Sequence, residues 1–166
     1  MIKNMAGIYI IDDNKILMMK RTKKDSFGEY YSVGGKFIES ELNDPKKCVL
    51  RELKEESGIE ETDLNNICLK YIAFRNNGKN ISQNYLFFAT LKNKNKVLSY
   101  CSEGIFEWIG LAEVFNINLP VTSRFCLKHY FEKGYKNNSV YLSAGTNISG
   151  FGEYIFTELL EFKSNK

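Results

Sequence analysis

Three glutamates within a five-residue stretch are the part of this sequence best suited to chemistry. Glu52, Glu55 and Glu56 stand at positions i, i+3 and i+4, so on an α-helix their carboxylates project from one side. Like charges arranged in this way weaken an isolated helix, whereas Mg²⁺ and Mn²⁺ prefer clusters of hard oxygen ligands. Just upstream, Gly34 and Gly35 offer backbone that an ion or a phosphate can approach closely. The pattern predicts metal-assisted chemistry on a phosphate.

A helix over residues 45–57 is predicted to position these acids. Asp44 and Pro45 form an N-cap and first-turn pair, and Gly58 is a natural C-terminal cap. Apolar residues gather on a face about 120° around the axis from the acids, namely Val49, Leu50 and Leu53. The alternative is a solvated acidic face, which is common in helices rich in Glu and Lys. A helix that is anchored on one face and presents acids on another favours a site.

The sequence around this helix resembles the signature of the Nudix hydrolase family. That signature is a Gly, five residues, a Glu, seven residues, and then Arg-Glu-aliphatic-X-Glu-Glu-X-Gly-aliphatic. Its second half is complete in residues 51–59, and Glu41 follows Gly35 after five residues. Nine residues rather than seven separate Glu41 from Arg51. The cap pair that begins the helix indicates that the additional residues lie in a loop at 42–43, so the reach of Glu41 depends on that loop.

The resemblance implies that the chain hydrolyses a phosphoanhydride in a nucleoside diphosphate linked to another moiety. Mg²⁺ is the implied cofactor, with Mn²⁺ as a substitute. The implied metal ligands are the carbonyl of Gly35 and the carboxylates of Glu52, Glu55 and Glu56, with Glu52 alternatively acting as the base. Arg51 is expected to orient a glutamate. The implied catalytic residues are Arg51, Glu52, Glu55 and a further acid, Glu103.

Glu103 is chosen because family members frequently carry a Glu a few residues before an aromatic residue in this part of the chain. Glu103 and Glu107 both precede Trp108. Glu103 adjoins a glycine and is preferred as a fourth ligand or as the base. Glu107 is expected to be a strand residue that faces solvent.

Four residues are expected to bind the substrate, each against a surface role as the alternative. Arg21 closes the second predicted strand and Lys36 follows the glycines, so both are candidates for phosphate contact. Ser123 occupies, by its distance from a proline, the position at which the MutT-like branch uses an Asn to recognise oxidised guanine. Arg124 would hold a phosphate or a ribose-linked group.

The preferred activity is that of a nucleoside triphosphate pyrophosphohydrolase, acting on an ordinary or oxidised nucleotide and releasing a nucleoside monophosphate and pyrophosphate. An ADP-ribose or nucleotide-sugar pyrophosphatase is the alternative, disfavoured because the sequence shows no additional N-terminal pairing domain. A nucleotide-binding sensor without turnover is a third reading. It is disfavoured because all three acids of the signature helix are present and repel one another without a metal.

Length and composition predict one compact domain over residues 1–166, and the resemblance implies that it is a Nudix domain. No apolar run approaches the roughly 20 residues that span a bilayer, and no signal-peptide core is evident, so a cytoplasmic, bacterial protein without membrane contact is expected. A net charge of +3 is too small to indicate nucleic-acid binding, which leaves a small nucleotide as the expected partner. The oligomeric state is not indicated.

Strand-like runs alternate with two helical segments along the chain. The runs are predicted at 5–12, 15–21, from 29 into the glycines, 67–75, 81–91 and 106–111, and the second helix at 121–133. Residues 139–166 are predicted to add a C-terminal β-hairpin. Mixed strands with a helix on either side predict an α/β fold, an α/β/α sandwich with a mixed β-sheet, which the resemblance also implies.

Overall fold

The computed structural model describes residues 2–25, 28–76, 78–93, 96, 98–146 and 154–160. The strands within them are β1 (Ile2–Asp12), β2 (Lys15–Asp25), β3 (Gly28–Tyr31), β4 (Val33–Lys36), β5 (Leu64–Asn76), β6 (Ile81–Leu91), β7 (Gly104–Gly110), β8 (Val140–Thr146) and β9 (Tyr154–Leu159). The helices are α1 (Pro45–Ser57) and α2 (Val121–Glu132). Neither of these two described helices is long and apolar enough to cross a membrane.

The nine described strands form one mixed sheet. Its order is β3-β2-β1-β6-β5-β8-β9, with β4 paired to β1 and β7 paired to β2. β1 runs parallel to β6 and β5 parallel to β8, whereas the other pairs are antiparallel. β1 pairs with β4 over residues 5–8 and with β2 over residues 10–12. This change of partner leaves β4 beside the first half of β1, where α1 packs against both strands.

Two buried clusters lie on the two faces of the sheet and define the layers. Ile8 and Ile10 pack with Val49 and Leu53 of α1, while Tyr9 belongs to the cluster that contains residues of α2. Successive residues of a strand point to opposite faces, so α1 and α2 cover opposite sides of the sheet. The predicted α/β/α arrangement is confirmed.

Helix α1 begins and ends at the residues that the sequence predicts. The Asp44 carboxylate accepts a hydrogen bond of 2.9 Å from the Lys47 amide, and Pro45 occupies the first turn. Gly58 closes the helix with φ of 72°, a left-handed conformation that glycine adopts without a steric penalty. Burial of Val49 and Leu53 contributes about 1.5–3 kcal/mol each. The helix is therefore fixed at both ends and along one face.

The loop before α1 contains a short 3-10 turn, Glu39–Glu41, that the sequence did not predict. Glu41 is 1% exposed in this turn, and its carboxylate accepts a 3.1 Å hydrogen bond from the Ile38 amide. The turn shortens the path of the longer loop and directs Glu41 back toward α1.

Strand pairing explains another boundary that differs from the predictions. The strand predicted from residue 29 into the glycines is divided at Ser32 into β3, which pairs with β2, and β4, which pairs with β1. In the predicted C-terminal hairpin, β8 and β9 pair antiparallel. Residues 147–153 and 161–166 of that region lie outside the described residues.

Candidate active site

The two glycines of β4 lie directly under the acids of α1. The Gly34 amide donates a 3.1 Å hydrogen bond to Glu56 Oε2, and a Cβ at Gly35 would overlap the Glu52 carboxylate. Gly34 has φ of 148°, and a side chain there would collide with the Ala6 carbonyl oxygen. Glycine is required at both positions because α1 and β1 approach β4 this closely.

A cavity of about 610 Å³ opens beside these glycines. It is bounded by β1, β4 and β6, by one edge of α1 and by the start of α2. The acids that line it are Glu52, Glu56 and Glu103. The cavity therefore brings together two acids from one helix and one from a loop about fifty residues further along the chain.

Arg51 fixes several acceptors around the same helix turn. Its guanidinium donates to both oxygens of Glu41, at 2.7 and 3.0 Å, and to Glu55 Oε2 at 2.9 Å. Nη2 also lies 2.9 Å from Glu52 Oε1 and donates to the Lys36 carbonyl. Bidentate pairing between guanidinium and carboxylate is strong and directional. Arg51 therefore holds the loop, β4 and the acids of α1 in one arrangement.

The acids near Arg51 have pKa values shifted in opposite directions. The hydrogen-bonded Arg51 guanidinium is the main cause that lowers the pKa of Glu41 to about 2. Burial is the main cause that raises the pKa of Glu56 to about 7, the Gly34 amide opposes this, and the charges of Glu52 and Glu103 add to it. Burial also raises the pKa of Glu52, against the effect of Arg51. Negative charge is thus only partly compensated at Glu56.

Glu103 reaches the cavity from the loop before β7. Its carboxylate accepts a 3.0 Å hydrogen bond from Arg21 Nη2, and its carbonyl accepts one from the Thr22 amide. Arg21 lines the cavity as well. Glu107, the other acid considered, lies within β7 and accepts a hydrogen bond from the Tyr30 hydroxyl, outside the cavity lining.

The structure separates the remaining predicted residues into two groups. Lys36 and Ser123 line the cavity. Arg124 does not line it, and its contact with substrate stays a prediction. Its guanidinium donates at 2.7 and 2.9 Å to the carbonyls of Phe115 and Ile117, so it fastens the segment before α2.

Glu55 is also placed differently from its neighbours on α1. It is not among the residues that line the cavity, and its side chain is 59% exposed while it pairs with Arg51. At i+4 from Arg51 its carboxylate lies within reach of the guanidinium. In this arrangement the Arg51 pair holds Glu55 at the rim of the site.

Sequence reasoning missed one polar row of the cavity. Lys3 of β1 pairs with Ser82 of β6, and Ser82 pairs with Arg75 of β5, so the three side chains share one row and all line the cavity. The row is four residues along β1 from Gly7, which pairs with Gly34, or about 13 Å. Strand alternation indicated a polar face, but only the strand pairing brings these residues together.

The donor set was tested against a divalent cation. Among the described residues, no three or more His, Cys, Asp or Glu side chains are grouped closely enough to form a ready-made metal site, since Glu55 and Glu103 are drawn toward arginines. Nevertheless, the available donors are all oxygens. Burial and the neighbouring acids raise the pKa of Glu56, and a bound cation would offset both effects. The residues present therefore fit Mg²⁺ or Mn²⁺.

Comparison with solved structures identifies relatives of this fold. A mutator MutT protein from Bacillus halodurans aligns with a TM-score of 0.68 at 21% identity, covering 93% of this chain and 97% of that one. The Nudix domain of Shewanella oneidensis NrtR, solved with ADP-ribose, gives 0.57 at 18% identity, covering 80% and 87%. A C. elegans Ap4A hydrolase gives 0.63 at 18% identity, covering 78% and 96%. At these identities the likeness shows the fold alone.

Sequence comparisons address the family directly. Curated protein sequences gave no match. The sequence model of the Nudix domain matches residues 1–128, a range that includes the signature helix, both glycines of β4 and Glu103. Since this match covers well over half of the 166 residues, the chain belongs to the Nudix hydrolase family.

Proposed function

We propose that this protein is a metal-dependent hydrolase of a phosphoanhydride in a nucleoside diphosphate linked to another moiety. The preferred substrate is a nucleoside triphosphate, ordinary or oxidised, which is cleaved to a nucleoside monophosphate and pyrophosphate. The observation that carries the proposal is the convergence of Glu52, Glu56 and Glu103 on one cavity beside the glycines of β4. Three carboxylates that converge on one cavity suit a site that binds a divalent cation.

The proposed metal ligands are Glu56, Glu55 and Glu103, together with the Gly35 carbonyl. Glu55 would join by rotating away from Arg51, an exchange that its exposed side chain permits. Bound Mg²⁺ would neutralise phosphate oxygens and favour ionisation of a water molecule. Each of these groups lies on α1, on β4 or on the loop before β7, which are the elements that form one side of the cavity.

Glu52 is the proposed general base. Arg51 Nη2 lies 2.9 Å from its Oε1, which leaves Oε2 to accept a proton from the attacking water. As the water oxygen bonds to phosphorus, the bond between phosphorus and the leaving oxygen breaks. Burial raises the pKa of Glu52, and a more basic carboxylate is better matched to proton transfer near neutral pH. Arg21 and Lys36 line the same cavity and are proposed to hold the phosphates.

A dinucleotide-like or sugar-linked substrate is the second candidate, and one observation favours it. The row of Lys3, Ser82 and Arg75 places two cationic side chains about 13 Å along β1 from the acid end. Such a row suits a second polar or anionic group at the far end of the substrate. ADP-ribose or a nucleotide sugar would provide one, and the Nudix domain of Shewanella oneidensis NrtR was solved with ADP-ribose.

The test is hydrolysis of a nucleotide panel that includes triphosphates, ADP-ribose and nucleotide sugars, with Mg²⁺ or Mn²⁺. Wild type is compared with Glu56→Gln, and Glu107→Gln is the matched control because Glu107 lies outside the cavity. Metal-dependent turnover that Glu56→Gln abolishes and Glu107→Gln preserves supports the enzyme. Tight nucleotide binding without turnover of any compound would leave a sensor as the function, and faster cleavage of ADP-ribose than of any triphosphate would select the second candidate.

A further inference from the structure

Tyr9 is a buried tyrosine whose hydroxyl the proposed chemistry does not use. Its side chain is 0% exposed, and its hydroxyl has no hydrogen-bond partner among the described residues. Lys3, Met5 and Gly7 line the cavity, and strand alternation puts Tyr9 on the same face of β1. Buried hydroxyl groups in folded proteins almost always have a partner, so the phenol is placed to pair with a hydroxyl beside it.

Two serines stand between Tyr9 and the cavity. Burial raises the pKa of Tyr9, and the nearby Ser123 and Ser32 hydroxyls partly oppose this rise. Neither serine is aligned for a hydrogen bond with the phenol, yet both line the cavity. The Ser32 Oγ lies over Gly7, where a Cβ would collide with it, so the absence of a side chain at Gly7 leaves room for this hydroxyl.

Tyr9 lies behind the two serines, and this arrangement determines which hydroxyl can donate a hydrogen bond into the cavity. A phenol buried in this way stays protonated and acts as a donor, whereas a serine hydroxyl both accepts and donates. A serine that accepts the Tyr9 proton therefore has its own O–H available toward the cavity. Ser32 is two residues from Gly34, or about 7 Å along the strand, a separation that a ribose can span between a phosphate at the acids and a base at the serines.

We propose that Tyr9, Ser32 and Ser123 form a hydroxyl cluster that donates a hydrogen bond to a carbonyl oxygen of the substrate's nucleobase. The inference rests on the proposed function, since it requires a nucleotide in this cavity. Ser32 and Ser123 are the contact residues. Tyr9 acts through them and is a positioning residue.

Two pairs of nucleotides isolate this contact. IMP and AMP differ at C6, where one has a carbonyl oxygen and the other an amino group, and at N1, which is protonated only in IMP. UMP and CMP differ in the same way at C4 and N3. None contains a phosphoanhydride, so binding can be measured without hydrolysis. Calorimetric Kd values with Mg²⁺ are compared for wild type, Tyr9→Phe, Ser32→Ala and Ser123→Ala. Tyr71→Phe is the matched control, because it removes a buried phenol that pairs with His129 away from the cavity.

We expect wild type to bind the carbonyl member of at least one pair more tightly, by about threefold to tenfold, as one net hydrogen bond would give. Tyr9→Phe and at least one serine variant should abolish that preference, while the Kd for the amino member stays as in wild type. In hydrolysis of the matching triphosphates, Tyr9→Phe should raise KM while kcat is kept. Tyr71→Phe should leave the preference as in wild type.

Equal affinity within both pairs, or an equal loss for both members in Tyr9→Phe, overturns the inference and assigns the hydroxyls to ribose or to packing. Should Tyr9→Phe not fold, as judged by circular dichroism, the serine variants decide the result. Hydrolysis of the panel with no carbonyl preference leaves the proposed function intact, whereas absence of both binding and hydrolysis overturns both proposals.

Discussion

Glu41, which precedes α1, and Glu56, which lies on it, are both buried carboxylates, yet their surroundings shift their pKa values in opposite directions. Glu41 receives two hydrogen bonds from Arg51 and one from the Ile38 amide, which lowers its pKa to about 2. Glu56 receives one bond from the Gly34 amide, and burial with neighbouring acids raises its pKa to about 7. The first site is electrostatically complete, and the second is short of positive charge.

This contrast indicates that the acids of a single motif have different roles, some in stability and others in ligand binding. A buried ion pair is costly to break on one side only, so Glu41 and Arg51 are expected to contribute mainly to stability. A buried carboxylate whose negative charge is poorly compensated contributes little to stability and is instead available to a ligand. Four changes test this division, from the largest expected effect to the smallest.

The largest effect is expected on activity from Glu56→Gln. Hydrolysis should fall by at least about 100-fold, as for loss of a direct or supporting metal ligand. The unfolding free energy without metal should stay within about 1 kcal/mol of wild type or rise, because the amide removes a buried charge. Metal-dependent initial rates and urea unfolding measure the two quantities. A large loss of stability would show that Glu56, like Glu41, has mainly a structural role.

Glu41→Gln should have the opposite profile, with a loss of stability on the order of 3 kcal/mol at pH 7 that follows from a pKa lowered from 4.5 to about 2. The exposed pair of Glu61 with Lys46 provides the control, and Glu61→Gln should change stability by less than about 1 kcal/mol. Urea unfolding of each variant gives the values.

The pH dependence of that loss follows from its sign. The folded pKa of Glu41 lies below the unfolded value, so its contribution is present above pH 4.5 and is lost as the pH falls toward 2. The difference between wild type and Glu41→Gln should therefore shrink between pH 5 and pH 2. A difference that is constant over this range would contradict an electrostatic role.

Glu103→Gln should reduce kcat by about tenfold to 100-fold with little effect on stability. Its pair with Arg21 is partly exposed on both sides, at 35% and 55%, and such pairs contribute less than about 1 kcal/mol. Steady-state kinetics and thermal unfolding are compared with Glu107→Gln, which should be like wild type in activity. Equal kinetic constants for Glu103→Gln and Glu107→Gln would show that Glu103 takes no part in catalysis.

The smallest effect is expected from Glu55→Gln, about tenfold on kcat. To bind the proposed metal, its exposed side chain would have to leave Arg51. Metal binding by Glu55 would therefore be weakened by the loss of that ion pair. Stability should change by less than about 0.5 kcal/mol, as for other i, i+4 pairs. Rates as a function of Mg²⁺ concentration provide the measurement. A loss of activity as large as that of Glu56→Gln would show that Glu55 and Glu56 contribute equally to catalysis.

Local sequence signals predicted the elements that carry the chemistry. The cap at Asp44 and the glycine at Gly58 gave the bounds of α1, since a cap acts through neighbouring residues alone. The two residues added before α1 left the position of Glu41 open. Its bond to Arg51 depends on a 3-10 turn whose formation is decided by tertiary packing. The Nudix signature predicted which residues are present, and the fold decided which face the cavity.

Contacts between distant segments could not be predicted in the same way. Arg124 follows Ser123 in sequence, but a helix turns by about 100° per residue, so Ser123 lines the cavity while Arg124 bonds Phe115 and Ile117. The row of Lys3 with Ser82 and Arg75 depends on which strands pair and in what register. Neither is encoded in a window of neighbouring residues.

The parallel pairing of β1 with β6 also has a consequence for the order of folding. Ile2 lies beside Ile81, so the floor of the cavity requires closure of a loop of about eighty residues, which is entropically costly and slow. The signature helix, in contrast, needs only contacts close in sequence to begin. During synthesis, the residues of α1 therefore emerge before the chain can form the surface on which a nucleotide would lie, and binding competence arrives only after β6 has emerged.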